Sequence, residues 1–190
     1  MSDFVKDYIQ QSVSVKTKIL SDSKTLTAIQ SLGEKASDSL RSGGKILMCG
    51  NGGSFADCQH IVAEFVSKLQ KDRQPLPAIC LGSNFSNLTA ISNDYGYEFV
   101  FSRELKSLYG PNDLLIGLST SGMSPNILRV LEDGVELGLD VFALLGKDGG
   151  DAKNICESII VPSSYTATIQ ECHIMIGHLL VSIAEREWLP

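Results

Sequence analysis

The sequence predicts an α/β protein built on a doubly wound, five-stranded parallel sheet flanked by helices, with additional helices at its N-terminus. Short, continuously apolar segments alternate along the chain with longer segments of helical periodicity. Strands without polar alternation are typical of parallel sheets that helices cover on both faces. The 190 residues are enough for one domain with a full hydrophobic core.

Apolar residues at helical spacing predict two helices within residues 1–42, and residues 43–190 are predicted to form the α/β sandwich of the same domain. Gly43 and Gly44 end the second of these helices. The predicted strands are 46–49, 78–81, 114–118, 141–145 and 158–161. The later helices are predicted at about 54–71, 84–92, 125–137 and 168–188. Ligands of such sheets bind beyond the carboxyl ends of the strands, so the loops after the first and third strands are expected to line one crevice.

Charge and hydropathy exclude several classes of partner. The net charge of −6 argues against nonspecific binding to nucleic acid or to an anionic membrane surface. No segment approaches the run of about 18 apolar residues that a membrane-spanning helix needs. The polar start, MSDFVKDYIQQS, does not resemble a signal peptide. We therefore expect a cytoplasmic protein with neither a nucleic-acid nor a membrane partner.

Cysteine usage supports the same compartment. The number of cysteines is odd, no CxxC occurs, and most of them lie in apolar segments. They are Cys49, Cys58, Cys80, Cys156 and Cys172. This pattern predicts reduced, buried thiols rather than a disulfide framework, and it makes a catalytic cysteine the weaker interpretation.

A serine-rich loop, STSGMSPN (119–126), follows the third predicted strand. Ser124 and Pro125 are typical of the N-cap and first turn of a helix, where backbone N–H groups and the helix dipole favour a phosphate. Ser119, Thr120 and Ser121 would add hydroxyl donors. An ordinary serine-rich turn remains the alternative. Neither nucleotide motif is present, because Phe55 replaces the third glycine of GxGxxG and no GxxxxGK[ST] occurs.

A possible metal or acid–base site lies on the helix after the first strand. His60 and Glu64 are four residues apart and therefore share one helix face, one turn apart. An imidazole nitrogen and a carboxylate oxygen so placed suit a divalent ion, although an ordinary surface pair has the same spacing. His173 and His178 lie in the apolar segment IQECHIMIGHLL, where buried polar groups need partners. Either histidine could be hydrogen-bonded in the core, lie at a subunit interface, or bind a metal.

Seven motifs span nearly the whole chain: CGNGGS (49–54), DCQHIVAEF (57–65), PAICL (77–81), ISNDYGY (91–97), LLIGLSTSGMSPN (114–126), LLGKDGGD (144–151) and IQECHIMIGH (169–178). Taken together, they resemble the sugar isomerase (SIS) fold and, within it, the phosphoheptose isomerases. The motifs run in the order found in that family, whereas STSG alone would indicate only the broader sugar-phosphate-binding fold.

This resemblance implies the isomerisation of sedoheptulose 7-phosphate to D-glycero-D-manno-heptose 7-phosphate, for the heptose of lipopolysaccharide or capsule. It implies Glu64 and His178 as the acid–base pair, in a homotetramer with active sites near subunit interfaces. The implied zinc ligands are His60, Glu64, Gln170 and His178. The implied substrate contacts are Asn51, Gly52, Gly53, Glu64, Asn93, Asp94, Ser119, Thr120, Ser121, Ser124 and Gln170.

Two features qualify these expectations. Phe55 stands where some relatives carry histidine, so the wall facing the sugar is expected to differ. Gln170 and His178 would be about 12 Å apart along a straight helix, which is long for two ligands of one ion. Either Gln170 lies at a frayed helix start, or another subunit supplies one ligand.

The alternative function is that of a noncatalytic SIS protein, which would bind a sugar phosphate or a replication-initiator protein. Such relatives resemble this chain in its loops but lack the acidic partner of the HxxxE pair and the last histidine. Both Glu64 and His178 are present here. The sequence therefore favours the enzyme.

Overall fold

The computed structural model describes residues 2–188. The helices are α1 (Ser2–Ser21), α2 (Ser23–Arg41), α3 (Gly53–Val66), α4 (Phe85–Asp94), α5 (Val100–Leu108), α6 (Pro125–Glu136) and α7 (Thr166–Ala184). The strands are β1 (Ile46–Gly50), β2 (Ala78–Cys80), β3 (Leu114–Ser119), β4 (Asp140–Gly146) and β5 (Glu157–Val161). Short 3-10 helices occupy Tyr97–Phe99, Ala152–Asn154 and Glu185–Trp188.

The five strands form one parallel sheet in the order β2-β1-β3-β4-β5. This confirms the predicted fold class. The chain leaves β1 toward one edge of the sheet to form β2, and it returns on the other side of β1 to form β3. The order of the strands therefore reverses between β1 and β3, the position where such sheets bind ligands.

Alternate residues of each strand pack into two separate cores. Ile46 and Met48 of β1 face the core that α2, α3 and α7 cover, whereas Leu47 and Cys49 face the core beneath α5 and α6. All five residues of β1 are buried. The continuous apolar runs in the sequence follow from this burial on both faces.

Some predicted helix boundaries are corrected by the structure. The helix predicted at 54–71 ends at Val66, and Asn84 caps α4 by accepting hydrogen bonds from the N–H groups of Ser86 and Asn87. The sequence analysis did not predict α5, a helix of nine residues whose buried face includes the polar Ser102 and Glu104. The closing helix begins at Thr166, two residues earlier than predicted, and Ala184 is its last α-helical residue.

Helix α7 is more apolar than the sequence analysis expected, since no segment long and apolar enough to span a membrane was predicted. By length and composition it is apolar enough to cross a membrane, with a mean hydropathy of 1.2, and half of the relevant window is buried inside the protein. Its buried residues, which include Ile176 and Leu180, belong to the same core as Ile61 of α3 and Leu32 of α2. These contacts are those of a central core helix.

Arg73, whose side chain is 0% exposed, ties the ends of α3 and α7 together. Its guanidinium donates hydrogen bonds to the carbonyl oxygens of Glu64, at 2.8 Å, and Phe65, at 2.9 Å. Its Nε pairs with the Glu185 carboxylate at 2.9 Å, immediately after α7. Further bonds to the carbonyls of Ser67 and Gln74 fix the loop that follows α3. Arginine suits this position because its planar group carries five donors.

We predict that Arg73→Ala lowers the free energy of unfolding by about 3–5 kcal/mol, because it leaves the buried Glu185 carboxylate without its partner. Urea or thermal unfolding measures this loss. The matched control is Lys35→Ala, which removes more exposed pairs with Asp140 and Glu157. That change is expected to cost at most about 1 kcal/mol. Equal losses of unfolding free energy in the two variants would contradict the role of Arg73 in joining the ends of α3 and α7.

Candidate active site and metal centre

The loops that follow β1 and β3 meet at the point where the strand order reverses. Asn51 stands immediately after β1, and its side-chain amide exchanges two hydrogen bonds of 2.9 Å with the amide of Asn126 in the first turn of α6. Tyr97 donates a third hydrogen bond, of 3.0 Å, to Asn51 Oδ1. A cavity of about 420 Å³ opens beside these three residues and reaches Ser124. The predicted crevice between the two loops is therefore present.

The loop after β3 is shaped by its own hydroxyl groups. Ser119 Oγ accepts a hydrogen bond of 3.0 Å from the N–H of Gly122, and Ser121 Oγ accepts one of 3.2 Å from the N–H of Met123. Gly122 has a φ of +66°, and a Cβ there would lie 2.0 Å from the carbonyl oxygen of Gly149. Only glycine fits this close approach in the left-handed region. Thr120, like Ser121, is half-buried.

Ser124 occupies the N-cap position of α6, and Pro125 is the first helical residue, as predicted. Among the described residues, however, the Ser124 hydroxyl makes no capping hydrogen bond to the helix. It lies instead 3.4 Å from Ser119 Oγ. The two hydroxyls therefore converge at the N-terminus of α6, where the helix dipole favours an anion.

His60, Glu64 and His178 converge on one point between α3 and α7. Glu64 Oε1 lies 3.1 Å from His60 Nε2 and 3.4 Å from His178 Nε2, and the two Nε2 atoms are 3.3 Å apart. The Glu64 side chain is 14% exposed, whereas the two histidine side chains are 56% and 42% exposed. We call these three residues the triad.

The geometry of the triad suits a zinc ion. Zinc bonds to imidazole nitrogen and carboxylate oxygen are about 2.0–2.1 Å long, so a tetrahedral site has ligand–ligand edges of about 3.3–3.4 Å. The observed separations of 3.1, 3.3 and 3.4 Å match one face of such a tetrahedron. The second oxygen, Glu64 Oε2, is buried without a hydrogen-bond partner within residues 2–188. Two imidazole nitrogens facing each other beside a carboxylate form a typical donor set for a divalent ion.

A close parallel contact between α3 and α7 brings the triad together. A Cβ on Gly177 would lie 2.6 Å from side-chain atoms of Ile61, so any larger residue there would force the Ile61 side chain to move. His178, the next residue of α7, lies beside His60 of α3, and the centroids of the two rings are 5.4 Å apart. Near the N-terminal end of α3, a Cβ on Gly53 would lie 2.5 Å from the Gln170 amide. The two helices thus run side by side in the same direction.

The same contact separates Gln170 from the triad. Gln170 lies inside α7 rather than at a frayed start, and it precedes His178 by eight residues, or about 12 Å of helix. Its amide contacts Gly53, about 10 Å along α3 from His60. Gln170 therefore remains a predicted ligand. Because it does not lie at a frayed helix start, the other explanation, that a second subunit supplies one ligand, is the one compatible with its position.

The remaining predicted contacts occupy the loop side of the molecule. Gly52 is the N-cap residue of α3, directly after Asn51. Asn93 and Asp94 are exposed at the end of α4, where Asn93 Nδ2 donates a hydrogen bond of 2.8 Å to Asp94 Oδ1. The structure gives these two residues no contact with the triad, and their role stays a prediction.

His173 is a core histidine, the first of the interpretations considered for it. Its Nε2 lies 3.0 Å from the carbonyl oxygen of Leu145, and its side chain is buried. Burial lowers the pKa of His173 to about 4, although the hydrogen bond to the Leu145 carbonyl opposes this shift. The ring is therefore neutral near pH 7.

The cysteines are free, as predicted, and four of the five are buried. Burial raises the pKa of the Cys49 thiol well above its ordinary value and raises that of Cys156 to about 12. A hydrogen bond from Cys58 lowers the pKa of Cys80, which is only 5% exposed. Inaccessible thiols are poor nucleophiles, which favours the interpretation without a catalytic cysteine.

Sequence reasoning did not single out Asn126 or Tyr97. Both lie within the motifs that carried the family resemblance, but their contacts join segments that are 75 and 46 residues apart. The only available signal concerned Asn126, which ends the loop after β3 and would face Asn51 if the two loops met across the crevice.

Comparison with known proteins agrees with this architecture. The family model for the SIS domain matches residues 7–146. A phosphoheptose isomerase of Clostridium acetobutylicum is 47% identical over 188 residues, which cover 98% of this chain and 96% of the relative. The structure of a phosphoheptose isomerase from Francisella tularensis superposes with a TM-score of 0.91 at 33% identity, covering 97% of both chains. A phosphoheptose isomerase structure from Neisseria gonorrhoeae gives a TM-score of 0.86 at 35% identity, covering 95% of this chain and 97% of the other.

The chain therefore belongs to the SIS domain family and, within it, to the phosphoheptose isomerases.

We predict that the protein binds zinc or a similar divalent ion, with one ion per triad, because the three donor atoms already have suitable separations. His60→Ala removes one direct ligand and should weaken binding at least 10- to 100-fold, the range for loss of an outer-shell partner alone. Elemental analysis and titration against a chelator measure occupancy and affinity. Gln59→Ala, at the exposed neighbouring residue, is the control. Unchanged affinity in His60→Ala would contradict the assignment.

Proposed function

We propose that this protein isomerises sedoheptulose 7-phosphate to D-glycero-D-manno-heptose 7-phosphate. The observation that carries this proposal is the convergence of His60, Glu64 and His178 in a chain that belongs to the phosphoheptose isomerases. A carboxylate beside two imidazoles offers both a base and a proton carrier. The noncatalytic alternative gives no reason for these three groups to meet.

The phosphate group of the substrate is proposed to bind at the loop after β3. Ser119, Thr120, Ser121 and Ser124 lie on the loop that leads into the N-terminus of α6, and the Ser124 hydroxyl is not used to cap its own helix. The helix dipole adds a favourable field for the anion. Asn51, Gly52 and Gly53 are proposed to contact the sugar from the opposite wall of the crevice. Asn93 and Asp94 are proposed as further contacts of the sugar. Binding at these remote groups orients the reacting carbons.

The reaction moves one proton between carbons and one between oxygens. In the proposed mechanism Glu64 removes a proton from C1 while O2 gains a proton, which gives a cis-enediol. Glu64 then returns its proton to C2 as O1 loses one, and the aldehyde forms at C1. His178 is the proposed carrier between O1 and O2, because its ring lies beside the Glu64 carboxylate that removes the carbon-bound proton. With Nε2 on a metal, Nδ1 would be the ring nitrogen left to move that proton.

His60, Glu64 and His178 are the proposed metal ligands within one chain. A divalent ion held there supplies Lewis acidity that favours the negative charge developing on the substrate oxygens. Glu64 has one oxygen, Oε1, facing both imidazoles, and a second, Oε2, without a hydrogen-bond partner among the described residues. The carboxylate therefore has enough lone pairs both to bind the ion and to accept a proton.

We further propose a homo-oligomer, with a tetramer as the expected form. Helix α1 leaves large apolar side chains of one face in solvent, among them Ile9 and Val13, each at 56% exposure, and Leu20 at 71%. An apolar stripe of this kind on a helix is typical of a protein interface. A second subunit would also provide a way for Gln170 to reach a triad, since within one chain its amide lies beside Gly53.

The proposed setting is the cytoplasm, where the free cysteines would stay reduced. A heptose phosphate made there would supply the synthesis of lipopolysaccharide or capsule, which is the role that the family resemblance implies. The small-molecule substrate and a second copy of the chain are the only partners we propose.

The test of this function is Glu64→Gln, which keeps the size of the side chain and one oxygen but removes the basic carboxylate. If Glu64 takes the C1 proton, kcat should fall by at least about 100-fold, the lower range for loss of a general base. Activity is measured on sedoheptulose 7-phosphate at saturating zinc. Exchange of the C1 proton with deuterated water should fall in step, because it reports the same proton removal.

Glu132→Gln makes the same chemical change on the exposed face of α6 and should leave turnover unaltered. Near-normal turnover and exchange in Glu64→Gln would show that another group is the base. A wild-type protein that binds sugar phosphates without turnover or exchange would favour the noncatalytic alternative.

A further inference from the structure

The carboxamide of Asn51 is held in place by hydrogen bonds to two partners. Asn126, which is 2% exposed, both donates to Asn51 Oδ1 and accepts from Asn51 Nδ2, at 2.9 Å each. Tyr97 Oη donates to the same Oδ1 at 3.0 Å. A carbonyl oxygen has two lone pairs, and here both are used. We call these three side chains the amide network.

The amide network leaves one donor free of these contacts. Asn51 Nδ2 carries two N–H groups, and its bond to Asn126 uses one of them. Turning over the Asn51 carboxamide alone would set its Nδ2 against the Asn126 Nδ2 group and break both hydrogen bonds of the pair, and only a turn of both carboxamides together would keep them. Buried donors without acceptors are costly, and Asn126 is buried. The network therefore holds the Asn51 carboxamide in place, and in the observed arrangement the group available to a ligand is an Nδ2 N–H.

Tyr97 lies where a ligand in the crevice would meet it. It lines the cavity of about 420 Å³ together with Ser124 and Asn126. It also lines a smaller cavity of about 100 Å³, whose walls include Phe55 and Phe101. Its side chain belongs to the 3-10 helix Tyr97–Phe99, which is on neither of the two loops expected to grip the substrate. Tyr97 thus connects a third segment of the chain to both walls of the crevice.

We propose that Tyr97 is a positioning residue for the sugar phosphate, acting through Asn51. Its hydroxyl holds the Asn51 carboxamide so that the remaining N–H donor is directed to a hydroxyl or phosphate oxygen of the substrate. This inference rests on the proposed function, because it names a residue that prepares the same crevice for binding. Preorganised donors bind more tightly than mobile ones because less conformational freedom is lost on binding.

Tyr97→Phe tests the proposal, since it removes only the hydroxyl of a half-exposed residue. We expect KM for sedoheptulose 7-phosphate to rise about three- to tenfold, as for the loss of one neutral hydrogen bond. The kcat should stay within about twofold, because such a contact is similar in the ground and transition states. The melting temperature should be unchanged. Tyr95→Phe is the control, since the Tyr95 ring lies 3.7 Å from the Arg103 guanidinium carbon rather than on Asn51.

A double-mutant cycle decides whether Tyr97 acts through Asn51. In an Asn51→Ala background, Tyr97→Phe should cause no further rise in KM, because the group that it positions is gone. Unchanged KM in Tyr97→Phe alone, or equal effects of this change with and without Asn51, would overturn the inference while leaving the isomerase intact. If the wild type lacks turnover, the proposed function fails separately. In that case the dissociation constant for sedoheptulose 7-phosphate, measured by calorimetry, replaces KM in the same cycle. An unchanged constant in Tyr97→Phe, or an equal effect of this change with and without Asn51, would again overturn the inference.

Discussion

The close, parallel contact between α3 and α7 is the constraint on which the rest of the site depends. Gly177 lets the helices approach, since any side chain there would collide with Ile61. Arg73 joins their C-terminal ends by binding the carbonyls of Glu64 and Phe65 together with the carboxylate of Glu185. Interiors are packed too closely for such helices to slide gradually. The alignment of the two helices therefore sets the separations within the triad.

The α/β sheet provides the second half of the site at the other end of α3. The helix begins at the loop after β1, beside the serine loop after β3, and it carries His60 and Glu64 two to three turns further on. The groups proposed for phosphate binding and for proton transfer therefore lie at different positions along the length of this helix. Asn51 and Asn126 join the two loops across the crevice by hydrogen bonds. The proposed anion site and the triad are therefore both positioned by α3 and the sheet. Sites built on rigid elements in this way hold their geometry more precisely than sites on free loops.

The sequence was sufficient for the sheet but only in part for the site. Continuous apolar runs predicted every strand, because both faces of the sheet are buried. The end of α3 was predicted five residues late. The last carbonyl groups of this helix are bound by Arg73, which is itself paired with Glu185, 112 residues further along the chain, and no local pattern shows this. Helix spacing placed His60 beside Glu64, whereas the joining of His178 required the alignment of α7 and came from the family resemblance. Tyr97 could not be assigned, because nothing local shows that its hydroxyl reaches Asn51.

X-ray absorption at the zinc edge, on protein loaded with one equivalent of zinc, tests the central claim most directly. The α3–α7 contact predicts a shell of nitrogen and oxygen ligands at about 2.0–2.2 Å, including the outer-shell scattering of two imidazole rings. His178→Ala should remove one of these rings from the spectrum. Sulfur ligands at about 2.3 Å would place the ion at the cysteines, and a shell without imidazole would place it away from both histidines. Either result would contradict the assignment of His60, Glu64 and His178 as the metal centre.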